Sequence, residues 1–234
     1  MPERGEARAF FGRRKGHRLR ARQASLLDSL LPRLRLGLPE PETGPLEPRR
    51  LFPRPVADVW LEIGFGGGEH LIQAATRHPD IGFIGCEPFV NGLAKALARI
   101  DELRLDNIRI HDGDAADVLD RLAPASLGRV YLLYPDPWPK RRHWKRRFVS
   151  ASNLARLARV MRPGAELRFA TDWADYAAWT LAHVRRHPAF RWDAERADDW
   201  RRPWDSWQGT RYEAKAVTQG RRPVYLTFRR TERA

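Results

Sequence analysis

The chain is poor in cysteine and has no long apolar run. Its one cysteine, Cys86, cannot form an intramolecular disulfide, which favours a reducing compartment, and we expect the cytoplasm. Cys86 ends the apolar run 81–86, so we expect it to be buried in the core. No apolar stretch approaches the ~18 residues of a membrane span, and no His/Cys group has zinc-ligand spacing. We therefore expect neither a membrane association nor a metal.

Acidic residues are also scarce relative to basic ones. The 234 residues include 43 Lys and Arg against 29 Asp and Glu, a formal net charge of +14. Such an excess is typical of proteins that bind a polyanion, most commonly nucleic acid. A basic but otherwise ordinary protein is the alternative.

Composition divides the chain into three parts. Residues 1–24 carry eight Arg and Lys and too little apolar surface to fold alone, which predicts a flexible basic N-terminal arm. The arm could settle onto phosphate or remain a solvated tail. Residues 25–55 are predicted to form a helix and a connector that is rich in proline. One domain is predicted over 56–234.

Within 56–234, apolar strands alternate with amphipathic helices. Strands are predicted over 56–63, 81–86, 108–111, 129–134, 165–170 and 224–228. Helices are predicted over 68–77, 90–102, 115–122, 148–161 and 173–186. This alternation with short connections predicts an α/β fold, with a parallel sheet covered by helices on both faces.

A glycine-rich loop follows the first strand. Gly64, Gly66 and Gly68 alternate with other residues directly after Glu62, where backbone must turn sharply and approach a ligand. A dinucleotide loop would need glycine where Glu69 stands, and a carboxylate facing a pyrophosphate is unfavourable. The loop therefore disfavours a nicotinamide cofactor and favours a nucleoside without phosphate, such as S-adenosylmethionine.

Three acidic residues lie at or near the predicted strand ends. Glu87 ends the second strand, where it can accept both ribose hydroxyls, although a helix cap or exposed turn residue is the alternative. Asp114 follows the third strand and could accept from the adenine amino group or simply begin a helix. Glu62 either shapes the loop or binds the methionine amine.

The segment 134–147 combines a carboxylate with aromatic and basic residues. Asp136 stands in Tyr-Pro-Asp-Pro-Trp just past the fourth strand, near the expected switch point of an open sheet. Methyltransferases that act on exocyclic amines carry a second proline here, so that chemistry is less favoured. Six of the eight residues 140–147 are basic, which suits phosphates. The alternative is a rigid turn whose aspartate caps a helix.

Two further groups follow later in the chain. Asp172 follows the fifth strand in Thr-Asp-Trp, where it could contact substrate or cap the next helix. Thr210, Arg211, Tyr212 and Glu213 precede the last strand. Core packing is predicted for the C-terminal tryptophans Trp192, Trp200, Trp204 and Trp207.

Taken together, these motifs resemble those of the tRNA (guanine-N7-)-methyltransferase family of the TrmB type. The resemblance rests on the segments 61–66, 134–138, 145–147, 170–173 and 210–213 and covers roughly residues 50–230. It implies a Rossmann-like class I methyltransferase fold with a mostly parallel seven-stranded sheet, so 56–234 would be the methyltransferase domain. It also implies methyl transfer from S-adenosylmethionine to N7 of the guanine at tRNA position 46, and we expect a monomer.

The resemblance also implies residue roles. Glu62, Gly64, Gly66, Gly68, Glu87, Asp114 and Asp136 would lie on the cofactor side, and Asp136 is the expected catalytic residue. Lys140, Asp172, Thr210, Arg211, Tyr212 and Glu213 would bind substrate. Arg142, His143, Trp144, Lys145, Arg146 and Arg147 would contact RNA. A methyltransferase with another target, or a non-catalytic RNA-binding module, remains open at this point.

Overall fold

A single mixed sheet organises the molecule. The computed structural model describes residue 12 and residues 14–40, 43–205 and 207–232. Within them the strand order is β3-β2-β1-β4-β5-β7-β6. The strands are β1 (Asp58–Ile63), β2 (Ile81–Cys86), β3 (Ile108–His111), β4 (Leu127–Leu133), β5 (Met161–Thr171), β6 (Phe190–Trp192) and β7 (Val224–Arg230). Strands β1 to β5 are parallel, and β7 pairs antiparallel with β5 and β6. The predicted seven-stranded, mostly parallel α/β fold is confirmed.

Helices cover both faces of this sheet. They are α1 (Ala21–Ser29), α2 (Leu31–Leu34), α3 (Glu69–Arg77), α4 (Val90–Leu103), α5 (Ala115–Arg121), α6 (Ala151–Val160), α7 (Ala174–Arg185), α8 (Asp198–Arg201) and α9 (Arg211–Thr218). One apolar layer contains Leu71 of α3 and Leu97 of α4. The other contains Leu119 of α5, Leu154 of α6 and Tyr176 of α7. Burying an apolar stripe of each helix against the sheet is what stabilises these layers.

Several predicted boundaries need correction. Helix α6 begins at Ala151 rather than at 148, because the Ser150 hydroxyl accepts a hydrogen bond from the Asn153 amide at 3.3 Å and caps it. Met161 was predicted in that helix but begins β5. Strand β6 was not predicted, since three residues are too few to show an alternating pattern.

The N-terminal divisions also change. The predicted arm boundary at residue 24 falls inside α1, which packs against α4. Before α1, the Gly16 amide donates to Asn91 Oδ1 at 2.7 Å, and the Val90 amide donates to the Arg14 carbonyl at 2.9 Å. Residues 14–17 are therefore attached to the start of α4. Residues 1–11 and 13 of the predicted flexible arm lie outside the described part of the chain.

The predicted connector is also part of the domain. Leu26, Leu31 and Leu34 belong to the same apolar layer as α3 and α4, and the Leu36 amide donates to the Ile110 carbonyl of β3 at 2.7 Å. Among the described residues, no helix is both long and apolar enough to cross a membrane. Residues 25–40 thus extend the layer rather than link it to another unit.

The strand order determines where a ligand can bind. From β1 the chain builds outward to β2 and β3, and it then returns to add β4 and β5 on the other side of β1. The switch point of the sheet therefore lies between β1 and β4. A crevice opens at this point beyond the carboxyl ends of the strands, and open α/β sheets bind their ligands there.

Candidate active site

The glycine-rich loop lies at the switch point between β1 and α3. Gly66 has a left-handed backbone with φ +58°, and a Cβ there would lie 3.2 Å from the Tyr212 ring. Gly92 of α4 was not singled out in the sequence, yet a Cβ at this position would lie 2.4 Å from the Gly66 carbonyl oxygen. Glycine at both positions lets the loop pass between α4 and α9. Gly64 and Gly68 also have positive φ.

Glu87 holds this loop in place. Its carboxylate accepts the Gly66 amide at 2.6 Å and the Phe89 amide at 2.9 Å. Burial raises the pKa of Glu87, although both hydrogen bonds act in the opposite direction. Glu87, directly after β2, therefore contributes a desolvated carboxylate that fixes the glycine-rich loop after β1.

A cavity of about 350 Å³ opens over the loop and Glu87. This volume lies within the range of small-molecule sites in proteins, roughly 300–1,000 Å³. Its described lining combines glycine backbone, two carboxylates and several rings; the members are Gly12, Ile63, Gly64, Gly66, Glu87, Pro88, Phe89, Leu132, Tyr134, Pro135, Asp136, Phe148 and Tyr212. We call it the loop cavity.

Glu62 lies behind the loop rather than on this lining. It pairs with Nδ1 of His70 on α3 at 2.6 Å, and both side chains are almost fully buried. The His70 ring in turn contacts Tyr131 and Trp207, with centroid distances of 4.4 and 5.4 Å. Of the two roles considered for Glu62, this geometry corresponds to shaping the loop.

Asp136 belongs to two cavities at once. It lines the loop cavity and a second one of about 510 Å³, which we call the basic cavity. The basic cavity is lined by Gly12, Asp114, Ala116, Pro135, Asp136, Trp138, Lys145, Arg146, Arg147, Phe148, Ser150, Ser152, Asn153 and Arg156. Asp136 remains accessible to solvent, but the surrounding walls desolvate its carboxyl group and raise its pKa.

The backbone around Asp136 is unusual. Tyr134 and Trp138 both adopt left-handed conformations, with φ of +49° and +44°. Residues other than glycine rarely do so, and such strain persists only where the surrounding structure imposes it. We call residues 134–138 the Asp136 loop.

Asp114 lies apart from the loop cavity. Its carboxylate accepts the Ala116 amide at 2.9 Å and caps α5, which is the alternative considered for it in the sequence. It lines the basic cavity instead.

The predicted substrate residues Asp172 and Glu213 already have partners. Asp172 forms an ion pair with Arg221 and does not cap α7. Both oxygens of Glu213 accept hydrogen bonds at 2.5 Å, one from Trp207 Nε1 and one from the Tyr225 hydroxyl. These partners, 6 to 49 residues away along the chain, could not be identified from the motifs.

The remaining members of the 210–213 motif begin α9. The Thr210 hydroxyl accepts the Glu213 amide at 3.2 Å and caps this helix. Arg211 lies 3.5 Å from Glu69 of α3, and the exposed Tyr212 ring lines the loop cavity. The motif therefore closes over the glycine loop, and Glu69 faces an arginine.

The basic run 140–147 divides into exposed and packed residues. Lys140, Arg142 and Lys145 are exposed. Arg146 and His143 pack on the Trp138 ring, at 4.9 Å from its centroid for the guanidinium and 5.8 Å between ring centroids. Trp144 is half-buried and contacts Trp179 at 5.4 Å.

Arg147 differs from the rest of this run, because only 1% of its side chain is exposed. Arg147 lines the basic cavity, but a side chain this deeply buried leaves little surface for the expected contact with RNA. A basic run with one buried member looks the same in sequence as a fully exposed one.

Among the C-terminal tryptophans, Trp204 and Trp207 pack against Tyr225, as predicted. Cys86 is buried, which is also confirmed. Phe89 and Phe148 line the loop cavity but were missed, although Phe89 stands two residues after Glu87. In the part of the chain that the structure describes, no group of three or more His, Cys, Asp or Glu side chains is arranged to hold a metal ion.

Solved structures share this architecture. The 16S rRNA methyltransferase KamB matches with a TM-score of 0.55 and 19% identity, over 75% of this chain and 89% of its own. An rRNA methylase from Streptococcus thermophilus matches with a TM-score of 0.51 and 11% identity, over 75% and 87%. The fold is therefore that of the Rossmann-like class I methyltransferases.

Sequence comparison identifies the family of the chain within the class I methyltransferases. A family model described as "Putative methyltransferase" matches residues 56–226. Curated tRNA (guanine-N(7)-)-methyltransferases are 57% identical in Rhizobium meliloti, over 95% of both chains, and 53% identical in Chelativorans sp., over 97% of both. The protein from Nitrobacter hamburgensis is 56% identical over 95% of this chain and 86% of its own. The chain belongs to the tRNA (guanine-N7-)-methyltransferase family.

Proposed function

We propose that the chain transfers a methyl group from S-adenosylmethionine to N7 of the guanine at position 46 of tRNA. The observation that carries this proposal is the position of Asp136, which lines both the loop cavity and the basic cavity. A cofactor in the first cavity and a nucleotide from the second would meet at this residue. The identity of the family supplies the reaction.

The loop cavity suits S-adenosylmethionine on the chemistry of its lining. Glu87 and Asp136 offer carboxylates to a nucleoside with cationic groups, and Phe89 and Tyr212 offer rings to its base. The backbone of Gly64 and Gly66 leaves room for close approach. We infer that Glu87 holds the ribose while it keeps the loop in place, and that Glu62 acts only on loop shape.

The bound cofactor supplies an electrophilic methyl group. Guanine N7 has a lone pair and no proton, so its attack needs no general base, and the chain's task is orientation, worth about 7–11 kcal/mol in favourable cases. Methylation leaves a positive charge on the base. In this proposal Asp136 stabilises that charge and accepts a guanine N–H, which requires its carboxyl group to be ionised.

The basic cavity and the exposed residues beside it suit an RNA backbone. Lys140, Arg142 and Lys145 extend the cavity's positive rim into solvent, where they can neutralise phosphates. Asp172 and Glu213 would contact guanine only by sharing or exchanging their present partners. Because the proposed substrate is tRNA, we expect the protein to act in the cytoplasm. One chain carries both cavities, so the proposed reaction requires no second copy of the chain.

The test is nucleoside mass spectrometry of unmodified tRNA incubated with the protein and methyl-labelled S-adenosylmethionine. We expect labelled 7-methylguanosine in the variable loop, and none in a matched transcript with adenine at position 46. Label in a different nucleoside would contradict the substrate but keep the cofactor. Absence of label with every RNA would contradict the activity.

A further inference from the structure

Arg147 has the surroundings of an internal support rather than of an RNA ligand. Three aromatic rings surround its guanidinium carbon, at centroid distances of 4.9 Å for Trp144, 4.9 Å for Tyr176 and 5.1 Å for Trp179. Such contacts are most favourable when the cation is desolvated, and 1% of this side chain is exposed. Its charge is thus used inside the fold.

The hydrogen bonds of Arg147 point to the Asp136 loop on one side and to α7 on the other. Nε donates to the Pro137 carbonyl at 2.9 Å, and Nη2 pairs with Asp175 at the start of α7. The two bonds use different arms of one planar guanidinium, whose geometry is fixed. Pro137 is therefore held at a set distance from α7.

The segment after Arg147 is attached to α7 as well. The Trp179 indole donates to the Val149 carbonyl at 2.8 Å, and the Val149 amide donates to the Tyr176 hydroxyl at 3.4 Å. Because Tyr176 is fully buried in the core, this attachment is rigid. Arg147 thus reaches the loop from a fixed base.

The Asp136 loop needs such a support. Tyr134 and Trp138 flank Asp136 with left-handed backbones, a conformation that is unfavourable for residues other than glycine. The prolines 135, 137 and 139 have no amide hydrogen with which to stabilise this shape through backbone donors. The Arg147 bond to the Pro137 carbonyl, one residue after Asp136, supplies a contact from outside the loop.

We propose that Arg147 is a positioning residue that holds the Asp136 loop in its reactive conformation and does not bind RNA. The expected effect on the rate of methyl transfer rests on the proposed function, whereas the expected effect on the structure of the Asp136 loop does not. Placement errors near 1 Å can lower an enzymatic rate about 100-fold. Loss of the Pro137 contact therefore acts on the rate of methyl transfer, whereas loss of an RNA contact acts on tRNA affinity.

The experiment compares Arg147→Lys with Lys145→Gln in the full chain. Lysine keeps the positive charge among the rings but cannot span both Pro137 and Asp175. For Arg147→Lys we expect kcat to fall about 10- to 100-fold, with the KM for tRNA and the salt dependence of binding within twofold of wild type. Lys145→Gln should raise the KM and reduce the slope of log K against log salt by about 0.9.

Asp175→Asn is the matched variant for the second partner of the Arg147 guanidinium, the carboxylate at the start of α7. It removes the ion pair but keeps the bond to Pro137, so we expect a loss in kcat under about threefold. Rates are normalised to the fraction of each protein that binds S-adenosylmethionine, which removes the effect of misfolded material. A loss as large as that of Arg147→Lys would contradict the role of the Pro137 contact.

Hydrogen exchange on the same variants tests whether Arg147 holds the Asp136 loop, independently of enzymatic activity. In Arg147→Lys, the amides of Tyr134, Asp136 and Trp138 should exchange faster, while those of β1, β2 and β5 remain as in wild type. Faster exchange throughout the sheet, or none in the loop, would overturn the positioning role. So would an RNA-affinity loss with unchanged kcat. A wild-type protein that produces no 7-methylguanosine would instead contradict the proposed function, and exchange would still test the loop.

Discussion

The two cavities that meet at Asp136 differ in charge and in how their residues are held. The loop cavity has carboxylates and rings around a glycine backbone that hydrogen bonds fix locally. The basic cavity has a cationic rim formed by a 3₁₀ helix, Arg141–Arg146, and the start of α6. One side therefore suits a cationic small molecule and the other a polyanion. In the proposed function, the single carboxylate of Asp136 at the boundary contacts both ligands.

The largest expected effect is that of Asp136→Asn, which removes the boundary charge alone. We expect kcat to fall about 100- to 1,000-fold, as for loss of one group that stabilises transition-state charge. Affinities for S-adenosylmethionine and tRNA should change much less. Single-turnover rates with both ligands saturating measure the effect, and near-normal turnover would contradict our account of Asp136.

Glu87→Gln should affect only the loop cavity. The amide has one oxygen, so it cannot accept both the Gly66 and the Phe89 amides, and a buried donor loses its partner. We expect S-adenosylmethionine to bind about 10- to 100-fold more weakly in calorimetry. Glu102→Gln, an exposed acid of α4, is the control and should bind normally. Equal affinity in both variants would exclude Glu87 from the cofactor site.

The double substitution Lys140→Gln and Arg142→Gln should affect only the basic side. We expect tRNA affinity near 150 mM salt to fall about tenfold and the salt slope to decrease by up to about 1.8, as for two lost phosphate contacts. Arg185→Gln with Arg186→Gln makes the same charge change at the far end of α7. A similar loss in that control would mean that net charge, not this rim, determines binding.

The smallest effect at neutral pH concerns the titration of Asp136. Since desolvation by the cavity walls raises the pKa of Asp136 above the ordinary 3.8, activity should fall as the pH decreases through that raised value. Because the pKa of Asp136 is raised in the folded state, ionisation of this residue destabilises the fold. This destabilisation develops as the pH rises through the raised pKa. Asp136→Asn should therefore lack this limb in its pH–rate profile without a lower melting temperature. A limb that persists in the variant belongs to another group.

The sequence predicted the parts of this site that depend on strand ends. Gly64, Gly66 and Glu87 lie at the switch point because parallel strands bring their carboxyl ends to one edge. The amphipathic helices predicted over 90–102 and 148–161 are also observed, and Leu97 of α4 and Leu154 of α6 lie on their buried faces. Strand ends and helix periodicity depend on residues close together in the chain, so both can be predicted from the sequence.

Properties that depend on distant partners could not be predicted. Arg147 and Lys145 are both basic residues in one run, but only Arg147 has Tyr176 and Trp179 around it. Glu213 was predicted to bind substrate, and its carboxylate already accepts hydrogen bonds from Tyr225 and Trp207. Gly92 was missed because its role depends on the approach of a loop 26 residues earlier in the chain.

The most direct measurement is a structure of the complex with S-adenosylhomocysteine and tRNA. Our account predicts the adenosine in the loop cavity beside Glu87, and the guanine at position 46 entering from the basic cavity with N7 facing the sulfur. Asp136 should contact the guanine, while Arg147 keeps its bond to Pro137 and touches no phosphate. A guanine bound away from Asp136, or a phosphate on Arg147, would contradict it.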